Sequence, residues 1–249
     1  MSLKKEDLEY FNRRIFENKK FWNRLGGEPD LKGKTVLDVG CGHGGLCVDM
    51  AAADAKKVVG VDLERERILF AKENLRLNYP QYTGIVEFYE IDLKDYDAGE
   101  QFDYIVSKDS FEHIIDLPGM MEEMKRRLKP GGLLYVGFGP LYNDYYGDHK
   151  RTECIIPWGH VLFSDEKIIK RLNKNKQTPI QSIIELGVNQ LSLADYRRIF
   201  KESGFEMTFF KVNASNNLIL RTFDLISWIF PFLKEYFAHN IYAIFKKMS

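Results

Sequence analysis

Net charge is what this sequence most plainly lacks. Its 249 residues carry 36 Lys and Arg against 36 Asp and Glu. A neutral chain exerts no global pull on nucleic acid or an anionic membrane. No nucleic-acid partner is expected, although a local basic patch stays open. Cysteine is scarce: Cys41, Cys47 and Cys154 are the three present. An odd number at irregular spacing does not suggest a disulfide framework, so a reducing, cytoplasmic setting is expected. Long apolar runs are also missing. The greasy region from Leu218 to Phe237 is interrupted by Arg221, Asp224, Lys234 and Glu235 and broken by Pro231. Its charge-free stretch, Leu225–Leu233, falls far short of the ~20 apolar residues of a spanning helix. The charged start Lys4-Lys5-Glu6-Asp7 has no apolar signal-peptide core. Internal repeats and low-complexity tracts are absent.

What is there is 45% hydrophobic residues, enough for one buried core, so one domain with insertions is the default. Leu8, Phe11, Ile15 and Trp22 recur at helical spacing and predict an amphipathic helix, ended by Gly26-Gly27 and Pro29. This gives a helical cap over residues 1–30, followed by one domain over 31–249. Strands are predicted at Thr35–Val39, Val58–Asp62, Ile85–Ile91, Tyr104–Ser107 and Leu133–Phe138, with helices between them. Asp116 is placed to cap a helix with Pro118 in its first turn, and Lys129-Pro130-Gly131-Gly132 to stop it. Such alternation implies a parallel sheet covered on both faces. The rhythm is lost over residues 139–191, a length typical of lids and binding segments. It resumes with a capping-box-like Ser192-x-x-Asp195, a helix stop at Gly204, and strands at Glu206–Val212 and Asn240–Phe245.

Chemistry concentrates where the first strand turns into a helix, at Leu37-Asp38-Val39-Gly40-Cys41-Gly42-His43-Gly44-Gly45. Glycines there let the backbone bend sharply and approach a ligand. Asp62 ends the next strand, where its carboxylate could accept hydrogen bonds from a ribose diol. Gly40, Gly42 and Gly45 with Asp62 also satisfy a dinucleotide fingerprint. Asp38 argues otherwise. A carboxylate before the glycines repels a pyrophosphate and suits a cationic amino group.

The sequence resembles the class I S-adenosylmethionine-dependent methyltransferases. Val36 to Gly44 looks like their motif I, and Val59-Gly60-Val61-Asp62 is similar to their second motif. Phe102 to Ser107 with Glu112-His113-Ile114 resembles their fourth-strand motif. Leu128-Lys129-Pro130-Gly131-Gly132-Leu133 looks like the turn before their fifth strand. The resemblance implies a Rossmann-like, doubly wound, mostly parallel seven-stranded sheet with an antiparallel last strand and an inserted lid. It implies S-adenosyl-L-methionine as cofactor. Asp38, Gly40, Cys41, Gly42 and Gly44 would wrap its methionine part, and Asp62 would hold the ribose. Leu63 would pack on the adenine, with Asp92 and Leu93 beside the adenine amino group. Lys108 and Asp109 would border the methyl-transfer site.

A base is needed only if the acceptor arrives protonated, and His113, His149 and His160 are the candidates. Each also reads as an ordinary structural or solvated histidine, as Asp92 reads as a turn cap. Cys41, His43 and Cys47 fit no standard zinc spacing, and no metal is expected. The Met120, Met121, Met124 stripe reads as core. The apolar Phe223–Phe232 reads as a helix packed on the sheet or lid, with peripheral lipid contact as the alternative. The expected function is methyl transfer to a small-molecule or glycan acceptor. A nicotinamide-dependent oxidoreductase and a non-catalytic cofactor-binding protein are the alternatives. Oligomeric state is left open.

Overall fold

A computed structural model describes residues 3–248 except 98, 176 and 215–217; residue 176 of the predicted insertion therefore lies outside the described residues. The chain opens with helix α1 (Lys5–Arg24), which buries Phe11, Phe21 and Trp22. Then come β1 (Thr35–Val39), α2 (Gly45–Ala52), β2 (Lys57–Asp62), α3 (Arg65–Asn78), β3 (Val86–Glu90), β4 (Phe102–Lys108), α4 (Leu117–Arg127) and β5 (Leu128–Phe138). Two short helices, α5 (Gly159–Leu162) and α6 (Asp165–Leu172), lie in the insertion. The fold closes with α7 (Leu193–Glu202), β6 (Glu206–Val212), α8 (Leu218–Ile229) and β7 (Ile241–Lys246).

The seven strands form one sheet in the order β3-β2-β1-β4-β5-β7-β6. β1 to β5 run parallel, and β7 is antiparallel to both neighbours. The Rossmann-like expectation and its antiparallel last strand are borne out. Side chains alternate across each strand. Leu37 and Val39 of β1 therefore enter the core under α4 and α7, while Val36 enters the core under α1, α2 and α3. Asp38 shares the face of Val36, where its carboxylate accepts from the Cys47 Sγ–H of α2 at 3.3 Å.

Local signals explain the helix ends. The Asp116 side chain accepts from Gly119 N–H, Pro118 stands in the first turn of α4, and Met121 and Met124 are fully buried. Ser192 and Asp195 make a reciprocal capping box. One expectation is corrected. Lys129-Pro130-Gly131-Gly132 does not precede β5 but lies within it. Phe102 pairs with Leu128 and Tyr104 with Leu133, so the intervening residues loop out as a bulge.

The insertion has a small core of its own, built on Tyr142, Cys154, Ile168, Leu172, Ile183 and Val188. The segment around α8 packs on this insertion. Phe223 stacks on Phe237 at 4.6 Å and meets Tyr145 and Trp158, while the Trp158 indole N–H donates to Tyr236 O at 2.9 Å. No helix among the described residues is long and apolar enough to cross a membrane.

Candidate active site

The turn after β1 is tied down from β2. Gly40 N–H and Cys41 N–H donate to Val61 O at 2.9 and 3.1 Å, and Gly42 N–H donates to Asp62 Oδ2 at 2.7 Å. The other Asp62 oxygen accepts from Glu64 N–H at 2.9 Å. Gly40 takes φ +79°, and a Cβ there would collide with the Ser110 side chain. A side chain is excluded because the loop after β4 closes directly over the glycine turn.

Between that turn and the insertion lies a cleft of about 590 Å³, within the ~300–1,000 Å³ range of ligand pockets. It opens at the carboxyl ends of β1 and β4, where open α/β sheets bind ligands. Asp38, Gly40, Cys41, Gly42, Asp62 and Lys108 line it. A smaller cavity of about 200 Å³ adjoins it and shares Gly40, Asp62 and Ser110. Leu63, Asp92 and Leu93 line this second space with Ile91, Ile114 and Met120. Asp92 also caps the following turn, accepting from Lys94 N–H at 3.0 Å. Gly44 stands apart from both cavities. It caps α2 at φ +78°, and a Cβ there would meet Phe88 Cζ at 2.5 Å.

The far wall of the cleft carries His113 and His149, their rings 5.0 Å apart. His113 Nδ1 lies 2.7 Å from Gly187 O, so it carries the proton and leaves Nε2 as the acceptor. Burial lowers the pKa of His113 and pushes His149 down to about 4, with the neighbouring His113 adding to the effect. Both rings are neutral at neutral pH. Glu112 is 3% exposed and accepts from Gly139 N–H at 3.3 Å. Burial and the charge of Asp109 push its carboxyl up to about 8. On the opposite wall, burial pushes Asp38 up to about 7, while burial and Arg14 bring Lys108 down to about 8.

His160 lies outside the cleft. It is 2% exposed, its Nε2 is 2.6 Å from Tyr142 O, and its Nδ1 faces Asp148 at 3.7 Å. It holds the insertion together. Cys41 and Cys47 place their sulfurs beside Gly60, and His43, also in the cleft lining, pairs with Asp7 at 3.3 Å.

Sequence reasoning missed the contribution of α1. Tyr10, Arg14 and Asn18 reach the cleft; Arg14 pairs with Asp109, and Asn18 accepts from Lys108 Nζ at 2.9 Å. Asn18 is 1% exposed. A polar residue on the buried stripe of an amphipathic helix is the signal that could have found it.

Residues 30–140 match the family model described as "Methyltransferase domain". A ubiquinone biosynthesis O-methyltransferase from Mesorhizobium japonicum is 34% identical over 118 residues, covering 45% of each chain. The match thus spans less than half the length of that relative. Among solved structures, magnesium protoporphyrin IX methyltransferase from Synechocystis with bound S-adenosylhomocysteine is 16% identical. Its TM-score is 0.55, covering 98% of this chain and 86% of that one. A cyclase, 14% identical, has a TM-score of 0.58 and covers 95% of this chain and 80% of its own.

Proposed function

We propose that this chain, whose residues 30–140 match a methyltransferase domain on the class I fold of S-adenosylmethionine-dependent methyltransferases, moves a methyl group to a hydroxyl-bearing small molecule. One observation carries this reading. The Asp38–Gly42 turn and Asp62 form one wall of a single cleft whose other wall presents two neutral histidines.

The residues present fit S-adenosylmethionine. Asp38 and the glycine turn would take its methionine end, Asp62 its ribose, and Leu63, Asp92 and Leu93 its adenine in the smaller cavity. When bound, the cofactor supplies an electrophilic methyl on a positively charged sulfur. The chain's own task is to place the acceptor in line with it, from which much of the acceleration comes. Lys108, beside the Arg14–Asp109 pair, is the cation at the reaction half of the cleft and would favour an acceptor oxygen as its proton leaves. His113 Nε2, or the adjacent His149, is the group placed to receive that proton.

The oxygen acceptor is supported by the O-methyltransferase among the relatives. The nicotinamide alternative loses ground to the sheet, because dinucleotide folds of order 3-2-1-4-5-6 lack an antiparallel β7 inserted beside β5. The cyclase on the same fold is the reason activity must be argued from the site. Transfer of radiolabelled methyl from S-adenosylmethionine to a panel of phenols and alcohols is the test. Labelled ether products are expected. Labelled amines alone would move the acceptor to nitrogen, and cofactor binding without transfer to any acceptor would favour a non-catalytic binding protein.

A further inference from the structure

Three donor groups meet at the acceptor end of the cleft with lone pairs that nothing in the protein uses. Glu112 is 97% buried by its 3% exposure, and its Oε2 has no hydrogen-bond partner. His149 Nε2 is buried and equally unpartnered. His113 commits Nδ1 to Gly187 O, which leaves Nε2 open. One ligand atom from each of these three residues lies within 4.8 Å of the other two, and Cys41, His43 and Cys47 form no such group among the described residues.

The backbone is bent to make this meeting. His149 and Lys150 both take left-handed φ values, +52° and +62°. Such strain in non-glycine residues persists only where the surroundings over-determine it, and it clusters at functional sites. Just before them, Gly147 packs so tightly on the Leu141 carbonyl that no side chain fits.

We propose that Glu112, His113 and His149 bind a divalent first-row transition cation through two imidazole nitrogens and one carboxylate oxygen. Buried polar groups without partners are rare, and an ion would satisfy the orphaned atoms together. A mixed nitrogen and oxygen set suits Mn²⁺, Fe²⁺, Co²⁺ or Zn²⁺ better than Mg²⁺ or Ca²⁺, which prefer oxygen alone. Bonds of ~2.1 Å require the donors to draw together by roughly an ångström, within reach of side-chain rotation. The His113 Nδ1–H bond to Gly187 O is the outer contact that orients a ligating imidazole. The expectation of no metal rested on the spacing of Cys41, His43 and Cys47 and did not weigh His113 and His149, which stand 36 positions apart.

Three protein ligands leave positions open toward the cleft. Their use rests on the methyl-transfer reading, but the ion site does not. An acceptor hydroxyl bound there would release its proton to solvent water, the ion taking the place of a histidine base, and keep its electron pair on oxygen. The O–CH₃ bond would then form as the S–CH₃ bond breaks, its electron pair remaining on sulfur.

The test is titration of chelator-treated full-length protein with Co²⁺, read by its visible absorption, with Zn²⁺ as competitor and elemental analysis after dialysis. One equivalent is expected. Glu112→Gln and His149→Ala should each weaken binding by about tenfold or more. His113→Gln should do the same, and circular dichroism with S-adenosylhomocysteine titration should show all three variants folded. No saturable binding at millimolar Co²⁺ would overturn the proposal, as would one-equivalent binding of unchanged affinity in folded His149→Ala. Ion binding without cofactor binding would leave the site standing and remove only its use in methyl transfer.

Discussion

Asp62 accepts Gly42 N–H at 2.7 Å and so locks the end of β2 to the glycine turn after β1. Its second oxygen accepts Glu64 N–H, so one carboxylate fixes both the turn and the start of the next segment. The residue proposed to hold the ribose thus also shapes the wall of the cleft. Asp62→Ala should weaken S-adenosylhomocysteine binding by about 1–3 kcal/mol, roughly five- to 150-fold. Calorimetry checks this; unchanged affinity would remove Asp62 from the site.

The raised pKa of Asp38 has a sign that can be measured. Its folded value is about 7, set by burial, against ~3.9 in an unfolded chain. Between those values the folded state holds a proton that the unfolded state lacks. The stabilising contribution is therefore full below about pH 4 and lost as pH rises to about 7. Asp38→Asn should remove this component, seen as a flatter change in urea stability between about pH 4 and pH 8. In the folded wild type, a cationic ligand beside Asp38 should drive its proton off. Calorimetry near pH 6.5 in buffers of different ionisation enthalpy should show proton release on S-adenosylmethionine binding that Asp38→Asn diminishes.

Much of the fold is readable because strand and helix periods are local properties. The glycine turn, Asp62 and the capping box at Ser192 announce themselves within a few residues. The bulge in β5 is not readable, since Pro130 and Gly131 look like a stop and only pairing with β4 shows them to be inside a strand. The reaction half of the cleft is hidden for a different reason. Arg14, Asp109, His113 and His149 come together from three segments, two of them outside the β/α rhythm. His160 looks equivalent to His149 in sequence, but the fold turns one into the insertion's core and the other into the cleft.

The collision at Gly40 offers a double-mutant test. Gly40→Ala should cost stability through a left-handed backbone of about 1–2 kcal/mol and through contact with Ser110. Ser110→Gly should relieve the contact alone. The double variant should regain part of the loss in chemical denaturation, whereas strict additivity would show that the two residues do not meet.

His160→Ala should lower stability by about 1–3 kcal/mol, because the buried Tyr142 carbonyl loses its partner. Cofactor affinity and the shape of the pH–rate profile should stay as they are. A lost titration limb in that profile would return His160 to the chemistry.

Trp158 joins the insertion to α8 and the segment after it through Phe223, Tyr236 O and Phe237. Trp158→Phe keeps the packing and loses the hydrogen bond, while Trp158→Ala loses both. The alanine variant should raise acceptor KM and expose the insertion to limited proteolysis, with cofactor affinity unchanged. Equal proteolysis of both variants and wild type would separate the insertion's stability from this contact.

Calorimetric titration with S-adenosylhomocysteine, run beside NAD(H) and NADP(H), tests the cofactor assignment most directly. Saturable one-site binding of S-adenosylhomocysteine, with no heat from either nicotinamide, is the expected result. Binding of a nicotinamide in its place would contradict the assignment of the cleft.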